Sequence, residues 1–208
     1  VSYDNGVTWS KMIEITHMLY GSTCKDPIRS QFYSTFVTSG NGIQLRDGRL
    51  LIVGAGRKYN TSQTFDFSIY SDDHGKTWSM SPNSPVESGG DESKVAELNN
   101  GSIAMSIRSA TNRRFSISVD RGITWGFPVP QKDILESRCN GDFIRYTSTK
   151  DGYDKDRLLH TIPYTTSGRK NLTILVSYDE GNTWPVQKVI YEGSAAYSSV
   201  TFSPIDGK

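Results

Sequence analysis

Apolar positions in this 208-residue chain come in short runs that alternate with polar ones, and helical spacing is not sustained anywhere. Such alternation over about five residues is the signal of half-buried strands. Gly42 to Gly54 reads as a hairpin around Asp47-Gly48, a tight-turn dipeptide between two apolar arms. Phe65 to Tyr70 follows as a third strand. The grammar then repeats. Ser93 to Leu98 and Ser102 to Arg108 flank Asn99-Asn100-Gly101, and Arg114 to Val119 follows. Gly141 to Thr147 and Arg157 to Ile162 form another pair, followed by Leu172 to Ser177. Residues 10 to 40 read as a weakly patterned insertion; within it Lys25-Asp26-Pro27 reads as a turn and Phe32 to Val37 as a candidate strand. A last Asp-Gly hairpin is predicted to begin at Pro204-Ile205-Asp206-Gly207.

Each third strand leads into the same eight-position pattern, Ser-x-Asp-x-Gly-x-Thr-Trp. It stands at Ser2 to Trp9, Ser71 to Trp78, Ser118 to Trp125 and Ser177 to Trp184, with the tryptophans 69, 47 and 59 residues apart. One supersecondary unit is therefore repeated with insertions. The Asp carboxylate is suited to accept backbone N–H groups across its own turn. The Gly supplies positive φ, and the Trp opens the next strand with an aromatic face to bury between sheets. These acids read as structural staples, not as catalytic groups. Four-stranded units with a signature turn predict an all-β chain, a β-propeller of which about three complete blades and two partial ones are present. A β-sandwich and a β-solenoid remain as alternatives. Because Val1 opens inside a repeat, the sequence reads as a piece of a longer product, residues 1 to 208 forming part of one propeller domain.

Lys and Arg number 23 against 22 Asp and Glu, a net charge of +1, so no electrostatic case for nucleic acid exists. No apolar run approaches the ~18 residues of a membrane span. Cys24 and Cys139 are too few for a disulfide framework, and Asn60-Thr61-Ser62 and Asn171-Leu172-Thr173 match the glycosylation pattern. His17, His74 and His160 are isolated, and no metal, phosphate-loop or Ser-His-Asp pattern occurs. The remaining candidates lie beside predicted inner strands. Glu92 precedes one strand and Arg108 ends its hairpin partner, so the two can meet, as a surface ion pair or as a site. Arg169 occupies the corresponding place in the next unit, and Tyr197 sits among Ala195, Ala196, Ser198 and Ser199, small neighbours that leave its hydroxyl approachable. Paired arginines suit a bound carboxylate; Arg113, Arg114, Arg138 and Arg145 compete for that part.

The chain resembles the bacterial-type exo-α-sialidases (neuraminidases), which are six-bladed propellers marked by the Asp box. Gly90-Asp91-Glu92-Ser93-Lys94-Val95-Ala96-Glu97-Leu98, then Asn100-Gly101 and Arg108, is similar to the family stretch that carries an active-site Glu and Arg. Arg169 through the last box to Ala196-Tyr197-Ser198-Ser199 is similar to the stretch carrying the third arginine and the catalytic tyrosine. Arg29 to Leu50 also looks like a family segment. The resemblance implies Tyr197 as nucleophile, Glu92 as its proton acceptor, and Arg108 and Arg169 as two of three arginines that clamp the substrate carboxylate. It implies release of terminal sialic acid from sialylated glycans with retention, without a cofactor or metal. Transfer to galactose, as in trans-sialidases, is the alternative, and a non-catalytic carbohydrate-binding propeller a further one. The family's first arginine, in an Arg-Ile-Pro motif, and its acid/base Asp are expected before Val1, and the closing blades elsewhere in the same product. Asp26, Asp66 and Asp91 do not fill the acid/base place. The resemblance also implies a secreted, cell-surface or periplasmic protein.

Overall fold

In a computed structural model that describes residues 1–82 and 90–203, the chain is all-β apart from short helical turns such as α1 (Thr16–Leu19). The first sheet holds β1 (Phe32–Val37), β2 (Ile43–Gln44), β3 (Leu50–Lys58), β4 (Thr64–Ser71) and β5 (Ser79–Met80). The second runs β6 (Ser93–Glu97), β7 (Ile103–Ile107), β8 (Asn112–Ser118), β9 (Val129–Leu135). The third runs β10 (Asp142–Thr147), β11 (Arg157–Pro163), β12 (Lys170–Ser177), β13 (Val186–Ser194). In the second and third sheets the pairings are antiparallel and follow chain order, as hairpin-linked strands require. The hairpin at Pro204 lies outside the described residues.

The first sheet differs from the expected pattern in one respect. Phe32–Val37 is not part of an insertion: β1 and β2 lie end to end along β3, with Val37 opposite Gly54 and Ile43 opposite Leu51. They are one innermost strand broken over residues 38–42. Thr38 spans the break. Its N–H donates to the Val53 carbonyl at 3.0 Å, and its hydroxyl reaches the Ser93 carbonyl of the next sheet at 2.8 Å.

The apolar faces of the sheets stack on one another. Leu51, Val53, Val95, Ile103, Met105, Ile107 and Trp125 fill the space between the first and second sheets. Phe115, Ile134, Phe143, Leu158, Ile162, Leu175 and Trp184 fill that between the second and third. Each such side chain stabilises the fold by about 1.5–3 kcal/mol on full burial.

The boxes lock this stack. In all four the Ser hydroxyl donates to the Asp carboxylate at 2.8 Å, and the Gly N–H donates to the Ser oxygen at 2.8 Å. The Thr N–H donates to the same carboxylate at 2.8–2.9 Å. The residue after the Asp (Asn5, His74, Arg121, Glu180) is itself left-handed, with φ of 56°, 57°, 65° and 63°. Positive φ is thus shared with the Gly rather than confined to it, and the carboxylate cage compensates that strain. Trp125 and Trp184 are buried between sheets, whereas Trp9 is 72% exposed.

Candidate active site

Hairpin geometry brings the predicted residues together at one end of the sheets. Ser93 and Ile107 are opposite partners in the β6–β7 ladder, so Glu92 and Arg108 continue it by one step, and the Arg108 N–H donates to the Glu92 carbonyl at 3.3 Å. Their side chains meet as well. Arg108 Nη1 donates to Glu92 Oε2 at 2.5 Å, and Arg108 Nε lies 3.2 Å from Asp91 Oδ2. Glu92 is buried, so this is no exposed surface pair. Burial works against the Arg108 charge, but Asp91 and Glu92 outweigh it and hold its pKa above the ordinary value.

Arg169 and Tyr197 arrive from the third sheet by the same logic. Lys170 pairs with Ser194, and the Ala195 N–H donates to the Arg169 carbonyl at 3.0 Å. Tyr197 follows two residues later. The chain beyond it is tied down by the Ser198 hydroxyl on the Thr161 carbonyl at 3.1 Å and the Val200 N–H on Asp142 Oδ2 at 2.6 Å. The Tyr197 ring lies 5.8 Å from the Arg169 guanidinium carbon. Its hydroxyl accepts from Arg108 Nη1 at 3.5 Å. A hydrogen bond to the Glu92 carboxylate is the main reason the phenol pKa is raised, with burial second; Arg108 opposes both. The side chain is nevertheless 49% exposed, so a ligand can reach it.

Beside these residues opens a polar cleft of about 610 Å³ lined by Arg108, Glu136, Arg138, Thr166 and Arg169. The competing arginines separate by environment. Arg145 is committed to Glu180 at 2.5 Å, and Arg113 is fully buried against Glu136 at 3.1 Å. Strand alternation turns Arg114 to the face opposite Arg113. Arg138 does border the cleft, but its backbone carbonyl accepts from Arg169 Nη2 at 2.7 Å. Asp26 accepts the Ile28 and Arg29 N–H groups of its own turn. Asp66 is fully buried and accepts from the Ser93 hydroxyl at 3.0 Å; burial raises its pKa well above the ordinary value. Sequence reasoning missed Asp91 as the second acceptor for Arg108, and it missed Glu136. The Asp91-Glu92 doublet was a visible hint for the first; Glu136 lay too far along the chain for any local pattern to join it to Arg113. Cys24 and Cys139 are free and buried.

The repeated box, the stacked antiparallel sheets and this cleft define an Asp-box protein of the sialidase fold. Residues 1–205 match the BNR repeat-like domain family, and the chain belongs to it. It is 32% identical over 216 residues to a sialidase of Micromonospora viridifaciens, covering 98% of this chain and 31% of that protein. The Hadza microbial sialidase Hz136 superposes with a TM-score of 0.82 at 32% identity, covering 95% of this chain and 37% of that one. A leech intramolecular trans-sialidase superposes at 0.74 with 26% identity, covering 99% and 31%. The chain therefore spans about a third of the length of these relatives, as part of a β-propeller.

Proposed function

We propose that the complete protein is an exo-α-sialidase that removes terminal sialic acid with retention, and that Tyr197 is its nucleophile. The observation that carries this reading is the convergence of Glu92 and Tyr197 on one guanidinium: Arg108 Nη1 donates to the Glu92 carboxylate at 2.5 Å and to the Tyr197 hydroxyl at 3.5 Å. Sialidases are known as the glycosidases that replace the usual carboxylate nucleophile by tyrosine. The anomeric carbon of a sialic acid carries a carboxylate, which repels an anionic attacking group; a neutral phenol avoids that repulsion.

Glu92 takes the phenol proton as the oxygen attacks, so the full negative charge never precedes bond formation. Donor accounting on the arginines supports the rest. Arg108 has five N–H groups, and Nε and Nη1 are directed at Asp91, Glu92 and Tyr197. Among the described residues its Nη2 has no acceptor and is open to a carboxylate, and Arg169, which spends Nη2 on the Arg138 carbonyl, has its other donors open too. An acid/base carboxylic acid and a third arginine come from blades outside these 208 residues. That acid protonates the leaving oxygen and then activates the water that releases Tyr197. No cofactor enters.

Similarity to a leech intramolecular trans-sialidase favours a second reading, in which an internal hydroxyl of the sugar or a galactose acceptor replaces water. One experiment separates the readings. The full protein is incubated with a fluorinated sialoside that traps the covalent intermediate, and the adduct is located by mass spectrometry. A sugar on Tyr197 is expected. Undiminished turnover by Tyr197→Phe, or an adduct on another residue, removes Tyr197 as nucleophile, and unlabelled protein without turnover leaves a carbohydrate-binding propeller. Product analysis by NMR, with and without lactose, distinguishes free sialic acid from an anhydro or transferred product.

A further inference from the structure

We infer that the buried Arg113–Glu136 ion pair is the positioning element of the cleft, setting Glu92, Arg108 and Arg169 relative to one another. The inference rests on the sialidase reading above for what those three residues do, but not for where they are held.

Arg113 is on β8 and Glu136 follows β9; both side chains are fully excluded from solvent. All five guanidinium N–H groups of Arg113 can be assigned. Nε donates to the Ser106 hydroxyl at 2.9 Å, and Nη1 to Glu136 Oε2 at 3.1 Å and the Cys139 carbonyl at 3.2 Å. Nη2 donates to the Glu92 and Ser106 carbonyls, each at 3.5 Å. Glu136 is used as fully. Oε1 accepts the Cys139 N–H at 3.1 Å, and Oε2 also accepts the Ser109 N–H at 3.4 Å. Behind Arg113, the Ser106 hydroxyl is bonded to His160 Nε2 at 2.9 Å, which anchors the pair to the third sheet.

Besides the Ser106 carbonyl within β7, the pair touches the backbone at three strand ends. One is the Glu92 carbonyl itself. The second is Ser109, the residue after Arg108. The third is the turn 137–139, where Arg138 adopts φ 54° and its carbonyl accepts Arg169 Nη2 at 2.7 Å. These three segments come from different strands, and no regular ladder joins all of them. A buried ion pair can be replaced by apolar residues with little loss of stability. What such a replacement cannot reproduce is a set of directional bonds to three segments at once.

The test uses the full protein and two variants, the charge-free double Arg113→Met/Glu136→Leu and the isosteric single Glu136→Gln. Each is studied at a temperature where circular dichroism shows it folded. The readouts are kcat and KM separately, and the inhibition constant of a sialic acid glycal against that of its C1 amide. If the pair positions the arginines, the double variant keeps a melting temperature near wild type, while KM rises at least tenfold. Its preference for carboxylate over amide falls by a similar factor, and Glu136→Gln moves the same way. A double variant with unchanged carboxylate preference and KM overturns the inference. So does failure of both variants to fold, since the pair is then required for the fold itself. Crystallography of the double variant reads position without activity: Arg169 is expected to leave the Arg138 carbonyl. Wild-type protein lacking turnover would remove the sialidase reading while leaving that positional arm intact.

Discussion

A side chain's chemistry here depends on which neighbours consume its donors and acceptors. Tyr197 and Tyr164 are both tyrosines with raised pKa, but burial dominates for Tyr164 and the Glu92 carboxylate for Tyr197. The Tyr164 hydroxyl donates to the Asp133 backbone carbonyl at 3.0 Å, which is no base, whereas the Tyr197 phenol is set beside a carboxylate. Tyr197→Phe is expected to reduce kcat by about 10³-fold or more with KM little changed, and Glu92→Gln by about 10²–10⁴-fold, the range of general-base contributions. Steady-state kinetics on an aryl sialoside reads both. Arg169→Ala removes charge-assisted bonds to a carboxylate, of about 1.5–3 kcal/mol. Each 1.36 kcal/mol is tenfold, so kcat/KM is expected to fall about 10–150-fold. The meeting of Glu92 with Arg108 was legible in the sequence because a hairpin joins them, while the parts expected of Arg169 and Tyr197 came from the family resemblance. Arg113 was not legible: as one of several arginines it looked like a competitor for substrate, and only its burial shows that it faces protein on all sides.

The Asp box is the element through which sequence becomes architecture. Hydrogen bonds from Thr8 hold Asp4 at a pKa of about 2, and those from Thr77 hold Asp73 at about 2. Burial pushes Asp120 and Asp179 the other way, but the bonds from Thr124 and Thr183 prevail and their pKa values are also lowered. A carboxylate with a folded pKa below its unfolded value of about 3.9 stabilises the fold above that pH. The contribution is lost as pH falls through the folded value. Thermal melts are therefore expected to show stability declining from about pH 4 towards pH 2, with a shallower decline in Asp73→Asn. The boxes also seal sheet to sheet. An added Cβ at Gly181 would meet Phe115 at 3.2 Å, whereas at Gly101 it meets nothing, although both have φ of +88°. Gly101→Ala is expected to cost about 1–2 kcal/mol of left-handed strain. Gly181→Ala adds overpacking of roughly 1–3 kcal/mol. Urea titration of the two variants measures the difference.

At the scale of the molecule, large apolar side chains stay exposed at both ends of the stack. Val186, Val189, Ile190 and Tyr191 on β13 are exposed, as are Val7, Trp9, Met12 and Ile13 near the other end. Trp9 illustrates the point: its box is formed with the same bonds as the others, yet its ring is uncovered where Trp125 and Trp184 are buried against a neighbouring sheet. Radial closure by further blades covers such faces. The 208-residue segment by itself is thus expected to self-associate or bind a hydrophobic dye, and to lack turnover. The protein carrying the flanking blades is expected to be free of both defects. Size-exclusion chromatography with dye fluorescence distinguishes the two; a dye-silent monomeric segment would show that these faces need no cover.

By itself the sequence determined the repeat, the strand order within each sheet and the meeting of Glu92 with Arg108, because turns, alternation and boxes act over a few residues. It also disclosed the family, since that pattern is local and linear. The break that joins Phe32–Val37 and Ile43–Gln44 into one strand was decided by pairing with Leu50–Lys58. The separation of the four competing arginines from Arg108 and Arg169 was decided by what packs against each, as the burial of Arg113 on Glu136 and the pairing of Arg145 with Glu180 show. Both depend on contacts between segments tens of residues apart, and burial of that kind has no signature in the local order of side chains.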